Sequence, residues 1–493
     1  MSEPDYFPEK ERYHQGEPLR IGNQRVLLID DFFVEDRWNV YREMVGPVKH
    51  PSSPVLVGSK PWDFHAYSPC VHYDEEAEIF RMWYQAFDAT AFTTQFRTGT
   101  WEPERDGYPY FVCYAESEDG IEWSKPSLDG IRYRDWSKNN VVMVGEQKAQ
   151  AFRVSKTPEG WGQPGKFMMS YKDNVGGNYG ALCLAYSDDG IHWRQDPANP
   201  VCAGLRDTQH NFIYDEVRDR WLLFTRPVSF AGQHKMTEPD KALGMKGRTA
   251  VATGKTPYEF NYPRNIIWPE EDERKFIDAM IVDRCGAHFI GFRTMMERES
   301  GQMLNDVYLS FSRDGLTWNR LANEQPFIKR SETEAFDTGQ TFSPKNIVEV
   351  GEWYYLYYSG TTHGQSTFDD IAGIGLAMLR RDRFVAQRSD STGGYLLTRE
   401  FVIEGDNLFV NMKHYTNYGY CGFAAELVTV PKSGMAGPRI IEGYSFDDVD
   451  NKPCDHLDAP LTWQGKNVSA LRGQSVQVRF WLKDVGIFAI QCS

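Results

Sequence analysis

The sequence predicts an all-β chain, a five-bladed β-propeller followed by a C-terminal β-sandwich. Three observations carry that prediction. A Ser-x-Asp-Gly-x-x-Trp segment recurs along the chain, pairs of strand-like runs precede each copy, and the pattern stops near residue 390. Period-2 alternation with Gly and Pro punctuation excludes helical repeats.

The recurring segment is clearest at Ser117-Glu-Asp-Gly-Ile-Glu-Trp123, Ser187-Asp-Asp-Gly-Ile-His-Trp193 and Ser312-Arg-Asp-Gly-Leu-Thr-Trp318. Asp-Gly supplies a tight turn with positive φ, and the Trp packs back as the next strand begins. Degenerate copies end at Thr253 and Arg380, so the series steps by 70, 66, 59 and 68 residues. Upstream of each copy stand two strands. They are Ser68–Tyr73 with Ile79–Ala86, Phe152–Lys156 with Lys166–Tyr171, Asn211–Tyr214 with Arg220–Thr225, Ile277–Val282 with His288–Phe292, and Phe342–Val350 with Trp353–Tyr358. Two strands upstream and two around the turn make a four-stranded unit, and five such units fit a propeller.

Two long polar insertions, 93–107 and 229–246, read as rims of a pocket bordered by Phe96, Trp101, Phe230 and His234. Beyond residue 390 the strands lack the Asp-Gly-Trp turn, which predicts a sandwich over 391–493. Residues 61–390 then form the propeller, and 1–60 wrap or close it.

Composition narrows function. The chain has 493 residues, 54 Lys plus Arg and 69 Asp plus Glu, a net charge of −15. That balance argues against a nucleic-acid partner and against an anionic membrane surface. The eight cysteines are scattered, with no zinc spacing. There is no apolar leader at the N-terminus and no run of about 18 apolar residues. The expected location is the cytoplasm, or the periplasm where a leader has been removed. Oligomeric state is not legible. No phosphate-binding glycine loop, Gly-x-Ser-x-Gly elbow or His-Glu-x-x-His occurs. Aromatic content of 14% suits both short strands and sugar stacking.

Chemistry is expected where the inner strands begin, because side chains there converge on the channel axis. Those starts read Trp62-Asp63-Phe-His65-Ala-Tyr67, Lys148-Ala-Gln-Ala-Phe152, Arg206-Asp207-Thr-Gln209-His210, Phe276-Ile-Asp278 and Glu334-Ala-Phe-Asp337-Thr-Gly-Gln340. Four of the five carry an acid, and converging acids repel and raise one another's proton affinity. Glycoside hydrolysis needs one protonated carboxyl and one ionised one, which such a cluster provides. The catalytic candidates are Asp207, Asp278, Asp337 and Asp63. A turn role competes for Asp337, and a structural role for Asp63. Trp62 and Tyr67 are candidate stacking platforms, as are Trp101 and Tyr358. His65, His210 and His363 are placed at the channel, with Gln209, Glu334 and Gln340 as further substrate contacts. Arg226, Arg274 and Arg293 are candidates to clamp an acidic sugar.

The turns, the five units and the terminal sandwich resemble the five-bladed propeller glycosidases of families 32, 43 and 68, and bacterial family-32-like proteins above all. The run Arg479-Phe-Trp-Leu-Lys-Asp-Val-Gly-Ile-Phe488 is similar to the closing hairpin of the family 32 sandwich. The turn also resembles the sialidase Asp-box, which occurs in propellers without activity. The resemblance implies three acids, and Asp207 is similar to the middle acid, which tunes the donor. Asp278 stands where the family has its proton donor, a Glu. The first-blade Trp-x-Asn-Asp-Pro is absent, and Pro61-Trp62-Asp63 is the nearest substitute. The expected function is release of a terminal sugar from an oligosaccharide, with no organic cofactor. A divalent cation near the axis stays open. A phosphorylase or lyase on the same scaffold, or a non-catalytic glycan-binding propeller, are the alternatives.

Overall fold

The computed structural model describes residues 15–162, 165–176, 178–203, 209–226, 247–268, 275–297, 302–321, 324–364, 372–416, 420–430 and 437–493. Regular structure in them is almost all β. The short helices Ala89–Thr93, Thr94–Thr98 and Pro103–Asp106 lie in and beside the first polar insertion. No helix is long and apolar enough to cross a membrane.

Antiparallel meanders follow one another along the chain. The first runs His65–Asp74, Ile79–Phe87, Tyr110–Ser117, Val141–Met143, and the second Gln150–Lys156, Phe167–Val175, Asn178–Ser187, Arg194–Gln195. The third is Asn211–Asp215, Arg220–Thr225, Thr249–Gly254, Arg264–Ile267. A fourth (Lys275–Cys285, His288–Glu297, Leu304–Ser312, Asn319–Arg320) and a fifth (Gln340–Phe342, Val348–Val350, Trp353–Thr361, Ala372–Arg380) share one ten-stranded sheet. A parallel bridge from Asn305 to Gln340 joins them. None of these sheets closes on itself.

Apolar burial links each meander to the next. Trp83 and Tyr114 share a cluster with Phe152 and Met169; Leu182 and Leu184 with Phe212 and Trp221; Leu222 and Phe224 with Ile277 and Val282. Ile290 and Phe292 pack with Tyr354 and Leu356, and a fifth cluster joins Val71 and Met82 to Tyr357 and Ile374. The last contact runs from the fifth meander back to the first.

The recurring turns are built alike. The Asp carboxylate accepts the two backbone N–H groups that follow the Gly, at 2.7–2.8 Å, and the Ser hydroxyl bridges the Asp and the Gly amide. Each Trp indole donates to its Gly carbonyl. Gly120, Gly190 and Gly315 have φ between 72° and 79°. Each also presses on a neighbouring meander: a Cβ would come within 2.6 Å of Tyr357, 2.6 Å of Trp83 and 2.8 Å of Leu222 respectively. Only glycine fits both demands.

The termini are more interleaved than the expected division at residues 60 and 390. Val48–Lys49 and Leu56–Val57 pair with Ala372–Arg380, so the N-terminal segment supplies the outer edge of the fifth meander. Val26–Leu27, Val34–Trp38 and Tyr41–Met44 instead join two six-stranded sheets with the C-terminal strands. Both sheets contribute to one apolar cluster that includes Val26, Leu396, Val410, Leu427, Trp463, Phe480 and Ile487.

Candidate functional site

The inner strands of the first, second and fourth meanders share a defect. Their register shifts between Tyr67 and Cys70, between Gln150 and Arg153, and between Ile277 and Ala279. Ser68 and Ala151, within two of these bulges, have φ of 54° and 53°. A bulge re-aims a side chain and ends regular pairing, as a binding rim requires. Asp278 occupies the third.

Asp278 is partly exposed, its side chain at 17%. An Arg226 Nη atom donates to its backbone carbonyl at 2.6 Å and to its carboxylate at 3.1 Å. Arg226 directly follows the strand Arg220–Thr225. His210, the residue before the partner strand, is buried and shares a 2.9 Å hydrogen bond between Nδ1 and Thr225 Oγ1. Gln209 is half-buried, and its Oε1 accepts from Ser68 Oγ at 3.3 Å and from Lys345 Nζ. Ser68, Gln209 and Lys345 thus meet across the first, third and fifth meanders.

Lys345 reaches Gln209 from a pinned loop. Phe342–Val350, expected as one strand, is split into Gln340–Phe342 and Val348–Val350. Ser343 donates to Phe292 O at 2.8 Å, Asn346 clamps the Val71 backbone at 2.6 and 3.1 Å, and Ile347 N donates to Asp283 at 2.7 Å. Arg153 donates to the Lys345 carbonyl and, at 2.6 Å, to Asp283. Lys345 is 1% exposed. Burial, more than the nearby Arg153 guanidinium, pushes its ammonium down to about 7. Cys70, close by, donates to Val154 O, and burial raises its thiol.

Asp63 and Asp337 occupy different surroundings from Asp278. Asp63 is fully buried and accepts from Ser59 N, Lys60 N, Tyr84 OH and Lys125 Nζ. Asp337 is 1% exposed and takes Lys49 Nζ at 2.5 Å and Tyr358 OH at 2.8 Å. Both carboxylates are framework ion pairs, and the bulge acid is Asp278. Burial and the Asp bond push the Tyr84 and Tyr358 phenols up. Tyr358, wholly buried, is therefore no stacking platform.

The other expected contacts scatter. Trp62 packs on Trp136 at 5.7 Å and donates to Asn140, so its ring belongs to the core. His65 is buried against Phe64 and Phe87, and Tyr67 is half-buried at the edge of the first bulge. Gln340 is buried and bonds Met303 O and Thr361. Glu334 and His363 are exposed. Trp101 bonds Gly107 O, while Phe96 remains 42% exposed. Arg293 is wholly buried and pairs with Glu324. Asp207, Phe230, His234 and Arg274 lie outside the described residues. Of the expected set, the structure brings Gln209, His210 and Asp278 together. Lys345 and Ser68 went unpredicted; Pro344 within the expected strand is the signal for the former, since Pro breaks a ladder.

Among the described residues no three His, Cys, Asp or Glu side chains gather to hold a metal. Among the described residues, Arg153 and Lys345 lie side by side, with the Asp283 carboxylate on Arg153. A cavity of about 790 Å³ opens beside His72, Arg153, Lys156, Asp283 and Arg284, at the opposite end of the inner strands from Asp278.

The sequence matches no protein-family model and no curated protein. It is similar in structure to an N-acetylgalactosamine deacetylase from F. plautii solved with blood group B trisaccharide, at TM-score 0.46 and 13% identity over 70% of this chain and 97% of that one. It is also similar to a β-1,2-mannobiose phosphorylase from Listeria innocua, at 0.44 and 10% over 70% and 98%. A third similar structure is a family 32 β-fructofuranosidase from Bombyx mori, at 0.38 and 10% over 91% and 94%.

Proposed function

We propose that this chain is a carbohydrate-active enzyme, a glycoside hydrolase that removes a terminal sugar at one mouth of a five-bladed β-propeller backed by a β-sandwich. The ring reading draws on the five apolar clusters, each between successive meanders, the last returning to the first. The two six-stranded sheets around one core are the sandwich, with its N-terminal strands recruited from before residue 45.

The observation that carries the activity is the placement of Asp278. It is the candidate acid that sits in an inner-strand bulge, partly exposed, with an arginine on its carboxylate. In this reading Asp278 is the ionised partner, which stabilises the cationic sugar or activates water. Asp207 delivers the proton. This exchanges the donor role that family likeness gives Asp278, because an Arg on a carboxylate favours the charged form. Gln209, His210 and Ser68 hold sugar hydroxyls.

The test is Asp278→Asn, assayed on aryl-glycosides and plant or marine oligosaccharides that the wild type cleaves. Turnover is expected to fall about 10²–10⁴-fold with an unchanged melting temperature. Full residual activity removes Asp278 from the reaction.

A further inference from the structure

We propose that Lys345, with Ser68 and Gln209 above it and Arg226 at the rim, forms a binding pocket for an oxyanion, a phosphate or the carboxylate of an acidic sugar. The proposal goes beyond the hydrolase reading and does not depend on it.

Among the described residues the charge around Lys345 is unbalanced. Two cations, Arg153 and Lys345, lie there side by side. Asp283 is the carboxylate close to them, and it is already committed to Arg153 and the Ile347 amide. The groups that face Lys345 are Cys70 from the first inner strand, Arg153 from the second, Gln209 ahead of the third, and the Phe152 ring at 5.7 Å. None of these is a carboxylate.

Donors are also in surplus. An ammonium carries three N–H groups, and among the described residues Lys345 bonds one acceptor, Gln209 Oε1. The Nε atom of Arg226 is buried with no partner among the described residues. Gln209 and Arg226 adjoin the bonded pair His210 and Thr225, just beyond the ends of two paired strands. Gln209 is half-buried, so it stands between the buried amine and solvent. A buried lysine held near neutrality by desolvation regains its proton when an anion arrives. A loop pinned to the first, second and fourth meanders keeps the amine in place while it waits.

The test is isothermal titration calorimetry of the full chain with sulfate, inorganic phosphate and glucuronate near neutral pH. Saturable binding is expected for sulfate and for at least one of the other two. Phosphate without glucuronate makes the oxyanion an inorganic co-substrate, whereas glucuronate without phosphate makes it part of the sugar. Sulfate titrations in two buffers of different ionisation enthalpy are expected to report proton uptake, and affinity is expected to fall as pH rises. Lys345→Met is expected to weaken binding tenfold or more. No saturable binding, binding without proton uptake, or unchanged affinity in a folded Lys345→Met variant each overturns the proposal. The proton-uptake measurement uses wild type alone, so it stands even where the variant fails to fold.

Discussion

Asp63 and Asp337 hold the same post in the repeat: each accepts, through Oδ2, the hydroxyl of the tyrosine twenty-one residues downstream, at 2.7 and 2.8 Å. A lysine completes each group, Lys125 beside Asp63 and Lys49 beside Asp337, with Nζ 5.5 and 5.4 Å from the tyrosine ring. The two groups differ in burial. Lys125 is 8% exposed and Lys49 28%. Asp63→Asn leaves a buried ammonium with, among the described residues, only the neutral acceptors Val57 O and Ser59 Oγ and is expected to cost about 3–5 kcal/mol. Asp337→Asn leaves one that water reaches, and the expected loss is smaller, about 1–3 kcal/mol. Denaturant melts of the two variants check the order; equal losses contradict it.

Gly190 separates two demands on a glycine. Its φ is 79°, and a Cβ would meet Trp83 at 2.6 Å. Gly160 has nearly the same φ, 75°, with open space around it. Gly160→Ala is expected to lose about 1–2 kcal/mol, the strain of a left-handed alanine. Gly190→Ala adds a clash with a buried indole, about 1–3 kcal/mol more. Thermal unfolding of both variants measures the difference, which is the worth of the turn's seat on the neighbouring sheet.

The repeat was legible in the sequence because its chemistry is local. Ser117, Asp119, Gly120 and Trp123 bond within seven residues, so the motif carries its own geometry. The site was legible only in part, because the partners that decide a residue's role lie far along the chain. Asp63 and Asp278 look alike as acids ahead of or within inner strands. Tyr84 and Lys125 make the first a framework group, and Arg226 marks the second as a rim group. Lys345 was missed because Phe342–Val350 reads as one strand, and the contacts that hold its loop come from Val71, Arg153 and Asp283. The pairing of the N-terminal strands was missed because their partners stand more than 300 residues away, as Trp38 does from Tyr395.

His288 predicts an acid limb in stability. It is fully buried, both ring nitrogens lack a partner among the described residues, and burial holds its imidazole well below the usual value of 6.5. Arg313 opposes its protonation and Asp30 favours it more weakly. The folded protein therefore refuses a proton that the unfolded chain accepts. Stability from this group is complete above about pH 6.5 and falls by about 1.4 kcal/mol per pH unit below it. His72, half-buried and with its imidazole lowered by desolvation, adds a second such proton. His288→Leu is expected to keep or raise stability at neutral pH and to halve the acid slope. An unchanged slope in urea titrations between about pH 5 and 7 refutes the assignment.

Lys345 makes the opposite end of the pH scale informative. Its ordinary value of 10.5 falls to about 7 in the fold, because burial penalises the ammonium more than its neighbours favour it. The sign follows from proton counts. Between about pH 7 and 10.5 the unfolded chain holds a proton that the folded chain has released, so stability from this group rises with pH. Below about pH 7 both states are charged and the cost of burying the ammonium is complete. Lys345→Met removes that cost, with a side chain of similar length and no charge. The variant is expected to exceed wild type by a few kcal/mol at pH 7 and below. The gain should shrink steadily towards pH 10.5, where the wild-type amine is neutral in both states. Paired denaturant melts at about pH 6, 8 and 10 read this difference directly. A gain that stays constant with pH means that methionine merely packs better. A loss of stability at low pH means that the ammonium is matched by an acceptor, and the oxyanion pocket then loses its vacancy.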